Sequence, residues 1–304
     1  MSFSFEVKKE LIAIENKPCC ALAQSYGFLL FGRTFSPASI SLMTDRAEIA
    51  RAYAAAVTAV SGAMPEINCS DAGRYTVRVT SAAERKKILR AFGYDGREVS
   101  TRLNFAVIHN ECCRSAFIRG AFLACGSITD PEKEYHIELP VSSRNLANDF
   151  VKVFDEYDGR DPELDVKLIP GLSMRGGGYV IYFNDSASVE DFLSLTGAHA
   201  ASMAVMNAKV YKDIRNNVNR RVNFETANLL RSCDAAAEQI RAIGKIKEKG
   251  SLSVFPEDIR QLAALRLREP EMSLRELGDM MEPPLSRTAV NYRLKKILKY
   301  AESL

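Results

Sequence analysis

Two hydrophobic periods alternate along the first two hundred residues, in the same order twice. An apolar, small-residue run around Tyr26–Phe31 ends at Gly32, and a second around Gly120–Cys125 ends at Gly126. Both carry too few polar positions for a solvated helix and predict helices buried on most sides. Extended segments follow, Ser39–Met43 and Tyr135–Val141, where Ile137, Leu139 and Val141 alternate as one buried strand face requires. Helices are expected next over Arg46–Val60 and Arg144–Tyr157. Each precedes a hairpin: Glu66–Cys69 with Arg74–Thr80, and Leu164–Ile169 with Tyr179–Phe183, the latter turning through Arg175-Gly176-Gly177-Gly178. A closing helix starts at Ser81 or Ser186, hydroxyl residues suited to capping.

The repetition extends to individual residues. At an offset of 94, Phe28 meets Phe122, Leu29 meets Leu123, Gly32 meets Gly126 and Pro37 meets Pro131. At an offset of 104, Tyr75 meets Tyr179 and Gly93 meets Gly197. An order αββαββα, twice, reads as an α+β fold with two antiparallel sheets and helices on one face. Gly, Ala and Ser on one side of the opening helices predict that their backbones approach closely at a pseudo-twofold seam.

Residues 205–250 read as polar linker helices. Between Arg215 and Asn228 stand five asparagines in fourteen positions, and Asn is a poor helix-interior residue. The remainder is an all-α unit. A helix over Glu257–Arg268 lies between Pro256 and Pro270, Ser273 and Glu276 form a capping box, and Ser286 caps a third helix. In that third helix Val290, Leu294, Ile297 and Ala301 form the buried face, leaving Arg287, Thr288, Asn291 and Lys295 on another. This is a helix-turn-helix with a polar, basic second helix.

Composition adds little until it is divided. The chain has 304 residues, no apolar run long enough to cross a membrane and no apolar leader, so a cytoplasmic location is expected. Seven cysteines include the adjacent pairs Cys19-Cys20 and Cys112-Cys113, a spacing that matches neither a disulfide framework nor CxxC zinc motifs; small buried thiols are expected. The net charge of +3 conceals a division: −3 over residues 1–204, +5 over 205–250, −3 over 251–285 and +4 over 286–304. Positive charge thus gathers on the Asn/Arg stretch and the last helix, where counterion release would reward phosphate binding.

Arg can pair with guanine, Asn with adenine, and hydroxyls with either bases or phosphate. Ser286, Arg287, Thr288 and Asn291 are therefore the candidates for base contact, Arg293, Lys295 and Lys296 for phosphate contact, and Arg215, Arg220 and Arg221 for auxiliary contacts. Catalytic and metal constellations are not found. His109, His136 and His199 are far apart, the acidic stretch Asp155–Asp165 does not follow the EF-hand pattern, and the glycine run lacks the Lys-Ser/Thr of a phosphate loop.

Three strings together resemble the WhiA family of bacterial transcription regulators: Cys112–Ser127 (CCRSAFIRGAFLACGS), Val218–Asn228 (VNRRVNFETAN), and Ser273–Gly278 (SLRELG) with Pro283–Ser286 (PPLS). The resemblance spans the chain and implies a degenerate LAGLIDADG homing-endonuclease fold followed by a helix-turn-helix. The expected division is 1–110 and 111–204 for the two LAGLIDADG-like halves, 205–250 for the linker and 251–304 for the DNA-binding domain. It further implies regulation of sporulation or of cell division and chromosome segregation genes, double-stranded DNA as partner, nucleoid association, and in some lineages the iron–sulfur protein WhiB as a protein partner. No cofactor and no small-molecule substrate are expected. The competing reading is an active metal-dependent endonuclease, which places one acidic residue before the glycine of each opening helix. Phe31 and Cys125 stand there instead.

Overall fold

The computed structural model describes residues 2–96, 101–155 and 168–304. An N-terminal helix, α1 (Phe3–Ile12), precedes the first repeat: α2 (Pro18–Leu30), β1 (Thr34–Phe35), β2 (Ile40–Thr44), α3 (Ala47–Ser61), β3 (Glu66–Cys69), β4 (Tyr75–Arg78) and α4 (Ala82–Ala91). The second repeat follows as α5 (Glu111–Cys125), β5 (Ser127–Ile128), β6 (Ile137–Val141), α6 (Arg144–Asp155), β7 (Gly171–Arg175), β8 (Gly178–Phe183) and α7 (Ser186–Thr196). Each repeat forms a four-stranded antiparallel sheet, ordered β1-β2-β4-β3 and β5-β6-β8-β7. The expected α+β duplication is present. Past α7 come α8 (His199–Glu248), α9 (Glu257–Arg268), α10 (Leu274–Asp279) and α11 (Arg287–Glu302). The chain divides into two compact units, residues 1–212 and 213–304.

Within the first unit the two repeats meet along α2 and α5. A Cβ added at Gly27 would stand 2.1 Å from the Phe117 carbonyl oxygen, and one at Gly120 would stand 2.1 Å from that of Gln24. Backbone therefore packs on backbone, as the small residues predicted. The two glycines are not repeat equivalents, since at offset 94 Gly27 meets Ala121 and Gly120 meets Tyr26. Aromatic side chains close the rest of the seam: Phe31 packs on Phe150 with ring centroids 4.6 Å apart, and Tyr26 on Phe117 at 5.2 Å. Buried Arg119 donates from Nε to the Thr196 carbonyl at 2.7 Å and from Nη1 to Asn16 Oδ1 at 2.9 Å, which satisfies a charge that burial would otherwise disfavour.

Three local expectations change. The strand expected at Leu164–Ile169 is β7, at Gly171–Arg175; residues 164–167 lie outside the described ones, and Leu168 and Ile169 are in no strand. The cause is the turn. Gly176 and Gly177 both have positive φ and make a two-residue hairpin turn, so pairing starts at Arg175 with Gly178 and the strand must abut it. Asp185, not Ser186, caps α7, its carboxylate accepting from the Ser188 N–H at 2.8 Å, whereas Ser81 caps α4 as expected. Cys20 and Cys113 are buried and Cys125 is half-buried, whereas Cys19, Cys69, Cys112 and Cys233 are exposed.

The polar stretch 205–250 falls almost wholly inside α8, one helix of 50 residues. The five asparagines between Arg215 and Asn228 project into solvent, where they leave no buried polar group unpaired. The start of α8 is held by α1: Glu10 accepts from the Ala200 and Ala201 N–H groups at 2.7 and 3.1 Å, a carboxylate on the positive end of the helix. Among the described residues no helix is long and apolar enough to cross a membrane.

Even a methyl group has no room at the crossing. Gly27→Ala and Gly120→Ala should each cost at least about 3 kcal/mol, more than ordinary core overpacking, measured by denaturant unfolding of the full chain. Gly73→Ala, at a tip with nothing near it but a positive φ, should cost about 1 kcal/mol.

Candidate nucleic-acid interface

The unit 213–304 builds its core from two sources. Ile259, Leu262, Leu277, Val290, Leu294, Ile297 and Ala301 come from the three C-terminal helices, and Ala242, Ile243 and Ile246 come from the last turns of α8. Lys245 at the end of α8 donates to the Ala301 carbonyl at 2.8 Å. The capping box at Ser273 and Glu276 is present in both directions, and Ser286 accepts from the Ala289 N–H. Gly278 allows α10 to turn tightly into α11: a Cβ there would stand 2.1 Å from the Leu285 carbonyl, and the Leu285 N–H bonds back to Gly278 at 2.9 Å. Buried Arg266 in α9 donates to the Met272 carbonyl at 2.6 Å and so fixes the link to α10. Burial alone holds its guanidinium pKa below the usual value.

One groove of about 670 Å³ in this unit collects the polar chemistry. Arg287 and Asn291 of α11, Arg275 of α10, and Asn228 and Arg231 of α8 line it. Arg231 Nη1 reaches Asn228 Oδ1 at 3.4 Å. Ser286, Arg287 and Thr288 are exposed at the start of α11, and Asn291 is half-buried one turn on. Side chains at a helix start beside a concave, guanidinium-lined wall can address base edges and phosphates together.

The structure divides the other candidates. Lys295 and Lys296 are exposed, Lys296 lying over the Tyr292 ring at 4.6 Å. Arg293 is half-buried and engaged: its Nε donates to Asp258 Oδ2 at 2.7 Å, tying α11 to the first turn of α9. In α8, at about 100° per residue, Arg220 and Arg221 continue the face of Asn228, Arg231 and Gln239, whereas Arg215 falls on the opposite side. Arg221 also pairs with Glu225 at 2.9 Å. Sequence reasoning missed Arg231 and Arg275. Arg231 stands three residues past the Asn/Arg string and Arg275 inside the capping box, so both were legible as charge next to a motif.

In the first unit, the ends of α2 and α5 carry Phe31 and Cys125 where LAGLIDADG enzymes place their acids. Phe31 is buried among aromatic rings. Burial pushes the Cys125 thiol up to about 12. Nearby, the Lys8 amine donates to the Leu123 carbonyl at 3.2 Å, and burial lowers it to about 8 while Cys125 and Asp45 raise it. Magnesium requires hard oxygen ligands. A phenyl ring, a protonated thiol and an ammonium group do not fit it.

Comparison with known proteins gives matches along the whole chain. Residues 114–215 match the family description "WhiA LAGLIDADG-like domain" and residues 218–301 match "WhiA C-terminal HTH domain". A probable cell division protein WhiA from Desulforudis audaxviator is 36% identical over 319 residues, covering 100% of this chain and 98% of the relative. One of the same name from Clostridium perfringens is 35% identical, covering 100% and 98%. The crystal structure of a full-length WhiA from Thermatoga maritima superposes with a TM-score of 0.58 at 24% identity, covering 100% and 99%, a likeness of fold.

The Arg293–Asp258 pair yields a pH prediction. The Arg293 hydrogen bond holds the Asp258 carboxyl below its ordinary value, so its contribution is full above about pH 4 and is lost as pH falls through the lowered folded value. Asp258→Asn should destabilise the 213–304 unit by about 1 kcal/mol at pH 7 and by less as the pH drops toward 3, followed by thermal melts across that range.

Proposed function

The chain belongs to the WhiA family, and on that premise we propose how its parts divide the work of a DNA-binding regulator. The helix-turn-helix is the DNA-binding element. Arg287, Thr288 and Asn291, with Ser286 at the cap, read base edges; Lys295 and Lys296 contact phosphates. Arg231 and Arg275 join them from across the groove, and Arg220 and Arg221 extend the contact along α8. Arg293 serves the fold of the unit instead. The observation that carries this reading is the single groove in which Arg231, Arg275, Arg287, Asn228 and Asn291 converge.

The regulated genes, on this proposal, are those of cell division and chromosome segregation or of sporulation; the names of the relatives support the first. We propose that the double unit does not cleave DNA. Phe31, Cys125 and the Lys8 ammonium support that, because none can carry a magnesium ion toward a phosphodiester. Exposed sheet positions Met43, Ile67, Leu172 and Met174 instead offer apolar area for a protein partner, of which a WhiB-like regulator is the one named by the family resemblance.

The test is a mobility-shift titration on a fragment selected from genomic DNA by the full chain. Arg287→Ala with Asn291→Ala should remove the preference for that fragment over an unrelated one; retained preference would refute the assignment of α11. Lys295→Ala and Lys296→Ala should each lower the slope of log affinity against log salt by about 0.9, while Arg293→Ala should leave it unchanged. Plasmid incubated with the chain and magnesium or manganese should remain supercoiled. Cleavage that a single Asp or Glu substitution abolishes would restore the endonuclease reading.

A further inference from the structure

The helix pair at the seam has two ends, and only one concerns the lost catalytic site. At the other end the chain brings together Cys19 and Cys20, in the first turn of α2, with Cys112 and Cys113, in the first turn of α5. The four Sγ atoms all lie within 4.8 Å of one another, and those of Cys19 and Cys20 are 3.9 Å apart. Two vicinal pairs separated by 92 residues in sequence therefore form one cluster. We propose that these four cysteines form a tetrathiolate site for a single soft divalent cation, with zinc as the fitting ion, that clamps the two halves of the N-terminal unit together.

Three observations select this chemistry. First, a zinc ion with four sulfurs at about 2.3 Å places those sulfurs about 3.8 Å apart along each tetrahedral edge, close to the spacing present. A polynuclear iron–sulfur core holds its cysteine sulfurs further apart than one metal ion does, and hard cations prefer oxygen. Second, the cluster has both an entry and a wall. Cys19 and Cys112 are exposed while Cys20 and Cys113 are buried, so an ion can arrive from solvent and be held on its inner side. Third, all four residues follow the first residue of a helix, Pro18 or Glu111, where the N–H ends of both helices favour thiolate over thiol. A single cation would take all four sulfurs as ligands at once.

The adjacent-cysteine spacing hides such a site, because neither pair alone resembles a zinc motif. It is completed only when the glycine crossing aligns the starts of α2 and α5. The ion would therefore bind the folded unit far better than the unfolded chain and would stabilise it by linkage.

The test uses the full chain, purified reduced and stripped of metal, with cobalt(II) as the probe. One equivalent should produce the visible bands of tetrahedral cobalt and sulfur-to-cobalt charge transfer, and zinc should displace them. Cys19→Ser with Cys112→Ser removes the two exposed ligands without touching the core, and should weaken binding at least about a hundredfold. Cys69→Ser with Cys233→Ser should leave it unchanged. Zinc at a hundredfold excess over Kd should raise the melting temperature of the parent chain by roughly 5–10 °C and that of the Cys19/Cys112 variant by little. Should the double variant fold poorly by circular dichroism, Cys112→Ser alone serves, with the same loss expected. An octahedral cobalt spectrum, binding indifferent to Cys19 and Cys112, or a disulfide within the cluster in the reduced protein would each overturn the proposal.

Discussion

Everything in the N-terminal unit depends on two backbones touching. With Gly27 against the Phe117 carbonyl and Gly120 against that of Gln24, no side chain separates α2 from α5. At that distance the sheets of both repeats can share one aromatic core, in which Phe31 of the first meets Phe150 of the second. The same approach leaves space for little else at the seam. Its polar groups are accordingly tied: Tyr26 bonds Tyr94 at 2.7 Å and accepts from the Asn104 N–H at 2.8 Å, and Arg119 is bonded to Thr196, Asn16 and Gln24.

Function follows from what stands at the helix ends. Where α2 and α5 end stand a ring, a thiol and a nearby ammonium group, none of them a ligand suited to magnesium. Where they begin, soft donors gather instead. In the other unit Ser286 caps the start of α11, and Arg287 and Thr288 just beyond it are exposed. The chain thus joins a LAGLIDADG-like duplication to a separate helix-turn-helix unit that ends in a basic helix.

Much of this was legible where a local signal was strong. Proline at both flanks bounded α9 to the residue, the Ser273/Glu276 pair marked α10, and the 3.5-residue spacing of Val290, Leu294, Ile297 and Ala301 identified the face that is buried. The glycine turn was legible but the position of β7 was not, because the turn's two-residue length, which brings the strand up to Arg175, is a matter of geometry rather than residue preference. The length of α8 was hidden by asparagines whose propensity cost is small when they stay hydrated. The ion pair of Arg293 was not legible because its partner, Asp258, is 35 residues away in sequence. The cysteine cluster was misread for the same reason on a larger scale: proximity across 92 residues leaves no trace in spacing.

The bond from Glu10 to the start of α8 also sets a timetable. Its partners are 190 residues apart, so α1 leaves the ribosome long before the helix it caps exists. At roughly 5–20 residues per second, about 10–40 s of synthesis separates them. Through that interval Phe5, Val7 and Leu11 of α1 are already covered by elements of the two repeats, and the Glu10 carboxylate waits for its partners. The acceptor that caps α8 is thus in place before the helix it caps, a preformed start on which the last element of the unit can begin.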